Sequence, residues 1–345
     1  MVFIEVIVFL LALAVLVKGA DVFVESSIKV ARLLKVNTFI IGLTLVAIGT
    51  SIPELASALF ASTSSNTGLI MGNITGSNIN NLSLILGIGA LLAFIHIKRN
   101  QLKRNMVLVI AVSLLLLIFS LNGVISRSEG ILFLFLFIVY LLYLFKHHEH
   151  KHEREYIQEV YLVQRVRNFI SGSESFLDKI FYYSTYTRLF RKITLYELQL
   201  FGTLIVSGAA IYFGAKFVVP SAVSLAEFVH VPQNVIGLTI LALGTTLPEL
   251  ATTIASARKK ADDILLGNLM GSNITNILLI IGTSAVITPL RFDFSSLIYP
   301  LAFMLFVVLI ASFFVFTETP LRKKYGLFLL GCYLVFMFFF LLFVV

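Results

Sequence analysis

The sequence predicts an all-α integral membrane protein, with ten transmembrane helices arranged as two inverted five-helix repeats and broken helices at the midplane. Three observations carry this expectation. The 345 residues are 59% hydrophobic and only 13% charged, with a mean hydropathy of +0.99, whereas soluble domains sit nearer about 25% charged. Spans of about 20 residues allow roughly ten of them once the polar stretch 146–195 is set aside. Finally, Gly42–Gly87 aligns without a gap on Gly237–Gly282, 195 residues later, and 20 of the 46 positions are identical.

Apolar windows predict helices near 2–18, 22–60, 69–95, 105–121, 128–146, 197–216, 218–257, 263–289, 296–316 and 325–345. The first begins at Met1 with neither a basic leader nor a small-residue cleavage site, and reads as a transmembrane helix rather than a removable signal. The second and seventh windows are too long for one straight span, and the third and eighth are interrupted by glycines. These four hold the repeated motifs. Gly19-Ala20 and Gly214-Ala215 are also 195 apart, so the repeat extends beyond the motif. The expected division is a first repeat over 1–146, a linker over 147–195 and a second repeat over 196–345. An odd number of spans per repeat sends the second copy into the membrane from the opposite side, which makes the repeats inverted.

Charge sorts with this scheme. The net charge of +8 comes from basic residues flanking apolar spans, and 23 of the 26 lysines and arginines fall on one side, leaving Arg127, Lys216 and Arg291 on the other. The positive-inside rule then puts both termini outside the cell membrane and the linker in the cytoplasm. The expected partner of the basic residues is the lipid bilayer and not nucleic acid, and one chain is expected to function as a monomer. Cys332 is the single cysteine, which excludes a disulfide framework and a cysteine metal cluster. In the linker, the histidine-rich tract Lys146–Glu153 reads as a transition-metal or pH-sensing segment, or as a solvated extension of the fifth helix. Phe176–Ile193 mixes apolar and basic residues as an interfacial helix does.

The motif itself places costly chemistry inside greasy sequence. Gly49-Thr50-Ser51-Ile52-Pro53-Glu54 recurs as Gly244-Thr245-Thr246-Leu247-Pro248-Glu249. Gly72-Asn73-Ile74-Thr75-Gly76-Ser77-Asn78 recurs as Gly267-Asn268-Leu269-Met270-Gly271-Ser272-Asn273, with Asn81 answered by Asn276. A glutamate at membrane depth is a functional candidate by default. With no basic residue in either motif, Glu54 and Glu249 must share protons or bind a cation. Thr50, Ser51, Ser77, Asn73 and Asn81 supply hydroxyl and amide oxygens in one half. Thr245, Thr246, Ser272, Asn268 and Asn276 supply them in the other. Gly49 with Pro53, and Gly244 with Pro248, are expected to break the helix and free the carbonyls of Ala47, Thr50, Ala242 and Thr245. Oxygen donors without imidazole or thiolate suit Ca²⁺ better than softer metals. Packing also accounts for the Gly-x-x-x-Gly spacings, for single hydroxyls, and for Asn78 and Asn273. It does not account for the two glutamates.

These motifs resemble the two α-repeats of the cation/Ca²⁺ antiporter superfamily, closest to the compact prokaryotic sodium/calcium exchangers, and the likeness covers nearly the whole chain. The resemblance implies a central diamond of four cation positions, with Ca²⁺ and Na⁺ as transported substrates and no cofactor. It implies Glu54 and Glu249 as the shared ligands, joined at the Ca²⁺ position by the Thr50 and Thr245 carbonyls. Ala47, Ser51 and Ser77 would line the inner Na⁺ position, and Ala242, Thr246 and Ser272 the outer one, with Asn81 and Asn276 flanking the middle. Asn276 is the departure, because these exchangers usually carry Asp there. The expected activity is exchange of Ca²⁺ for Na⁺ by alternating access, with no enzymatic function. The alternatives are a Ca²⁺/H⁺ exchanger using the same glutamates and a cation channel. An intramembrane enzyme is the weakest reading, since the hydroxyl and amide shell has no catalytic use.

Overall fold

The computed structural model describes residues 2–63, 67–93, 99–144, 195–228, 242–317 and 323–343. The expected linker, with its histidine tract and basic amphipathic segment, lies outside the described residues. Within them, seven helices are long and apolar enough to cross a membrane, and a bent pair makes an eighth span if taken as one.

Helix α1 runs Val2–Leu33. A turn containing Lys35, at φ 55°, leads into α2, Thr38–Thr50, which carries a π-helical turn at Gly42–Val46. After a 45° bend, α3 continues over Ile52–Thr63. Helix α4 covers 67–92, with its π turn at Asn81–Ile85. Then come α5, Arg99–Ser120, and α6, Arg127–Leu144. In the second half α7 runs Leu195–Phe228, and a single helical turn, Ala242–Gly244, precedes α8, Leu247–Arg258. Helix α9, Asp262–Ile287, repeats the π turn at Asn276–Ile281, and α10, Phe294–Thr317, and α11, Lys323–Phe343, complete the described chain. A two-residue ladder, Val124–Ile125 (β1) antiparallel to Leu290–Arg291 (β2), ties the α5–α6 turn to the α9–α10 turn.

Two expected boundaries are corrected. The windows ending near 18 and 216 do not end there, because α1 and α7 run through Gly19 and Gly214 as single long helices. The glycines mark a crossing instead. A Cβ on Gly214 would lie 2.8 Å from the Leu16 Cα, and one on Gly19 would lie 3.0 Å from the Ala210 Cβ. Small residues let two membrane helices touch backbone to backbone, and α1 and α7 share the most extensive helix pairing among the described residues. Lys18 and Lys216 therefore sit on helices, not in loops.

Packing is organised around α9, which is buried along nearly its whole length, while α1, α6 and α11 leave most of their surface facing outward. Against α9 lies α2, at a crossing so close that a Cβ on Gly267 would meet the Phe39 carbonyl oxygen at 2.6 Å. The larger apolar cluster joins α4, α5, α6, α9 and α10 around residues such as Phe133, Met106, Leu269, Ile280 and Met304. A second, smaller cluster holds α1 to α7 through Leu16, Phe23, Leu204 and Ile211.

Candidate functional site

Helix interruption sets the position of both glutamates. Proline donates no backbone N–H, and Pro53 and Pro248 stand in the first turn of α3 and α8, where that amide is not needed. The helix breaks just before them, at Ser51 (φ −84°, ψ 6°) and at Thr246 (φ −91°, ψ 5°). Glu54 and Glu249 thus fall in the first turn of a half-helix, where free amides and the macrodipole favour negative charge. Sequence spacing supplied the break, but the dipole placement became apparent only from the helix start.

Both glutamates are fully buried, at 0% exposure. Glu249 Oε1 accepts from the Ser51 hydroxyl at 3.5 Å and the Ser272 hydroxyl at 3.4 Å. The Thr245 and Ser77 hydroxyls face the Glu54 carboxylate, yet both Glu54 oxygens, Glu249 Oε2 and both side-chain atoms of Asn81 lack a hydrogen-bond partner among the described residues. Neither acid has a cationic partner there; the ion pairs found join Glu25 to Lys29 and Lys259.

Around the acids, hydroxyls and amides bond across the two halves in a reciprocal pattern. Thr50 Oγ1 donates to Asn268 Oδ1 at 3.1 Å and lies 3.4 Å from Ser272 Oγ. Thr245 Oγ1 donates to Asn73 Oδ1 at 3.3 Å and lies 3.5 Å from Ser77 Oγ. Each threonine of one copy meets the asparagine and serine of the other. Thr246 receives Asn80 Nδ2 at 3.5 Å. Asn276 Nδ2 donates to Asn78 Oδ1 at 3.0 Å, leaving Asn276 Oδ1 without a partner among the described residues.

One carbonyl expectation fails. The Ala47 oxygen is not free, since it accepts from the Ser51 amide at 3.0 Å; Thr50 Oγ1, whose proton has its shorter contact at Asn268, lies 3.3 Å from it. The first copy stays wound one i→i+4 step further than the second, where the Thr246 amide turns to Leu243 at 3.1 Å. The Thr245 carbonyl takes no backbone bond among the described residues. The Ala242 side chain lies outside what is described. Sequence reasoning missed Asn80 and Thr252. Asn268 Nδ2 donates to Thr252 Oγ1 at 3.0 Å, and the signal for it was a hydroxyl at the same place in both copies, Ser57 and Thr252.

Access to this cluster is uneven. Helix α1 packs along α8, whereas the equivalent pair, α7 and α3, has no comparable contact. A cavity of about 360 Å³ lies there instead, lined by Pro53, Ser57, Tyr212, Lys216, Val219 and Thr245 among others. Through Thr245 and Pro53 it reaches the edge of the acid pair.

Two acids without a cationic partner among the described residues stand in a ring of uncharged oxygen donors, inside a bundle of apolar helices. The chain belongs to the sodium/calcium exchanger protein family, whose family model matches residues 4–146 and 199–342. It is 37% identical over 344 residues to the sodium/calcium exchanger MaX1 of Methanosarcina acetivorans, covering 98% of each chain. It is 31% identical over 318 residues to the inner membrane protein YrbG of Escherichia coli, covering 90% of this chain and 88% of that one. The fold matches a solved structure of the sodium-calcium exchanger NCX_Mj with a TM-score of 0.76 at 27% identity, covering 97% and 98% of the two chains. This chain is accordingly a multi-pass membrane transporter of a cation-antiporter family and not an enzyme, and the ions such a protein moves are substrates rather than cofactors.

Proposed function

We propose that this protein exchanges Ca²⁺ for Na⁺ across the cell membrane by alternating access at one site shared by Glu54 and Glu249. The observation that carries the reading is the set of buried oxygens left unpartnered among the described residues: both of Glu54, Oε2 of Glu249, and the amide oxygens of Asn81 and Asn276. Leaving a buried acceptor unpaired costs about 1–3 kcal/mol, more when it is charged, and a bound cation would satisfy all of them together. Two carboxylates balance one Ca²⁺ in charge, and the ring of neutral oxygens suits its preference for 6–8 oxygen ligands. The Thr50 and Thr245 carbonyls would complete the Ca²⁺ position. Ser51 and Ser77 would serve one Na⁺ position, where the Ala47 oxygen is already taken by the Ser51 amide, and Ala242, Thr246 and Ser272 the other.

Exchange follows from electrostatics. An empty site carries two buried negative charges, which resist being carried through the closed, dry arrangement between the two open states. Ca²⁺ or Na⁺ cancels them and permits the switch. The packed α1–α8 face and the separated α7–α3 face support a state open on one side only. The crossed bonding of Thr50 with Asn268 and of Thr245 with Asn73 supports two inverted five-span halves, 1–146 and 196–345, joined by a cytoplasmic linker at 147–195 with both termini outside. A single chain holds every proposed ligand.

The test is ⁴⁵Ca²⁺ flux in proteoliposomes with Na⁺, K⁺ and H⁺ gradients imposed one at a time. Uptake driven by an outward Na⁺ gradient, and lost in Glu54→Gln, is expected. Uptake indifferent to Na⁺ but driven by a pH gradient would move the coupling to H⁺, and undiminished flux in Glu54→Gln would remove the site.

A further inference from the structure

The acids and oxygens of the site do not account for the charge at its approach. Lys216 is an exposed residue of α7 that lines the cavity beside Tyr212, one helical turn before it. No carboxylate pairs with it among the described residues. A lone ammonium on the approach to a site for positive ions is the wrong sign for attraction. Its equivalent 195 residues earlier is Asp21, on α1, so the same register position carries opposite charge in the two halves. Glu25 nearby is already neutralised by Lys29 at 2.8 Å and Lys259 at 3.5 Å, whereas Asp21 has no ion-pair partner among the described residues.

We propose that Lys216 is a selectivity residue of the access cavity, an electrostatic barrier that discriminates against divalent cations on its face, and that Asp21 makes the opposite face attractive to them. This rests on the antiporter reading above. A charge at a mouth with apolar walls changes the local concentration of every ion that passes. The free energy is proportional to the ion's charge, so the factor for Ca²⁺ is the square of the factor for Na⁺. One unit charge about 10 Å from the ion's path, in water, gives roughly a 2-fold factor for Na⁺ and roughly 4-fold for Ca²⁺ at low ionic strength. Lys216 lies about 32 Å along α7 from Leu195, at a rise of about 1.5 Å per residue, which is beyond the helix midpoint on the side away from the linker. Under the proposed topology that side is extracellular. Ca²⁺ leaving there is discouraged from rebinding, while Na⁺ is hindered less, and Ca²⁺ arriving from the Asp21 side is drawn in. The field makes the two faces of a nearly symmetric carrier differ in half-saturating Ca²⁺, while the gradients alone set the net direction of exchange.

The test compares wild type, Lys216→Gln, Lys216→Arg, Lys216→Glu and Asp21→Asn in membrane vesicles of both orientations, with Ca²⁺ presented to one face at a time in low-salt buffer and again with choline chloride added. Lys216→Gln is expected to lower half-saturating Ca²⁺ about 4-fold and half-saturating Na⁺ about 2-fold at the Lys216 face only, with both shifts shrinking as salt screens the charge. Lys216→Arg should match wild type, Lys216→Glu should roughly double the shift on a logarithmic scale, and Asp21→Asn should raise half-saturating Ca²⁺ at the opposite face. Equal shifts at both faces, shifts equal for Na⁺ and Ca²⁺, or shifts insensitive to salt would overturn the barrier while leaving the antiporter intact. Wild-type vesicles that move no Ca²⁺ under any gradient would remove both.

Discussion

The Thr50 hydroxyl donates to Asn268 Oδ1 at 3.1 Å across 218 residues of sequence, and its counterpart Thr245 donates to Asn73 Oδ1 at 3.3 Å. Each half therefore completes its polar cluster with groups from the other. Thr50→Ala would leave Asn268 Oδ1 without its buried donor, at a cost of about 1–3 kcal/mol. Thr50→Ser keeps the hydroxyl and should lose well under half of that. Thermal unfolding in detergent checks the difference, and equal losses for Ala and Ser would mean that the methyl packing, not the bond, holds the junction.

Glu249 accepts two hydroxyls while Glu54 accepts none among the described residues, so the two neutralised variants should differ. In Glu249→Gln the amide oxygen still receives Ser51 and Ser272. In Glu54→Gln a buried, unpartnered charge is simply removed. Both should abolish most Ca²⁺ transport, by about 100-fold or more, since about 3 kcal/mol of lost ion binding corresponds to that factor. Glu54→Gln should also raise the Tm of the ion-free protein, because an unpaired buried charge is destabilising. In wild type, added Ca²⁺ should raise Tm by mass action. In either variant that rise should largely vanish.

The sequence made the chemistry legible because the site is duplicated. Glu54 and Glu249, their hydroxyl and amide neighbours and the helix breaks all follow from two copies 195 residues apart. What it misplaced were features that depend on a partner surface. Apolar windows put helix ends near 18 and 216, yet α1 and α7 run on there and cross at backbone contact at Gly19 and Gly214. The Ala47 carbonyl looks freed by Gly49 and Pro53, but Ser51 still reaches it, because a proline removes its own amide and not those of its neighbours. Asn78, read as a packing residue, does join two helices, but the donor that holds it, the Asn276 amide, is seen only in the fold. Periodicity reports what a helix presents, not what it meets.

Gly267 shows how close that meeting is. A Cβ there would sit 2.6 Å from the Phe39 carbonyl oxygen and 2.9 Å from the Gly42 Cα, and backbone atoms cannot swing aside as side chains do. Gly267→Ala should destabilise the protein by roughly 1–3 kcal/mol or more, as overpacking does, and should reduce transport by displacing α2 and with it Thr50. Gly331→Ala on α11, where no described atom lies within 4 Å of the new methyl, is the control. It should be neutral or slightly stabilising, by up to about 1 kcal/mol from helix propensity. The comparison is made by unfolding and flux on the same preparations.

Asn276→Asp tests the stoichiometry. The variant loses the Nδ2 donor that holds Asn78 Oδ1 at 3.0 Å. Asn78 can answer by turning its amide over, because its own donor makes only long contacts now, 3.5 Å to the Asn273 carbonyl and 3.9 Å to Met304 Sδ. The structural cost should therefore stay near 1 kcal/mol, the net value of one hydrogen bond. The electrostatic consequence is larger, since a third acid gives the site one more negative charge than Ca²⁺ cancels. Ca²⁺ should bind more tightly while the Ca²⁺-loaded carrier switches more slowly, until another monovalent cation accompanies it. Half-saturating Ca²⁺ should fall, maximal flux in buffer free of K⁺ should fall, and flux should become steeper in Na⁺ or newly responsive to K⁺. A variant with wild-type Na⁺ steepness, wild-type Ca²⁺ affinity and no response to K⁺ would show that position 276 does not face the transported ions.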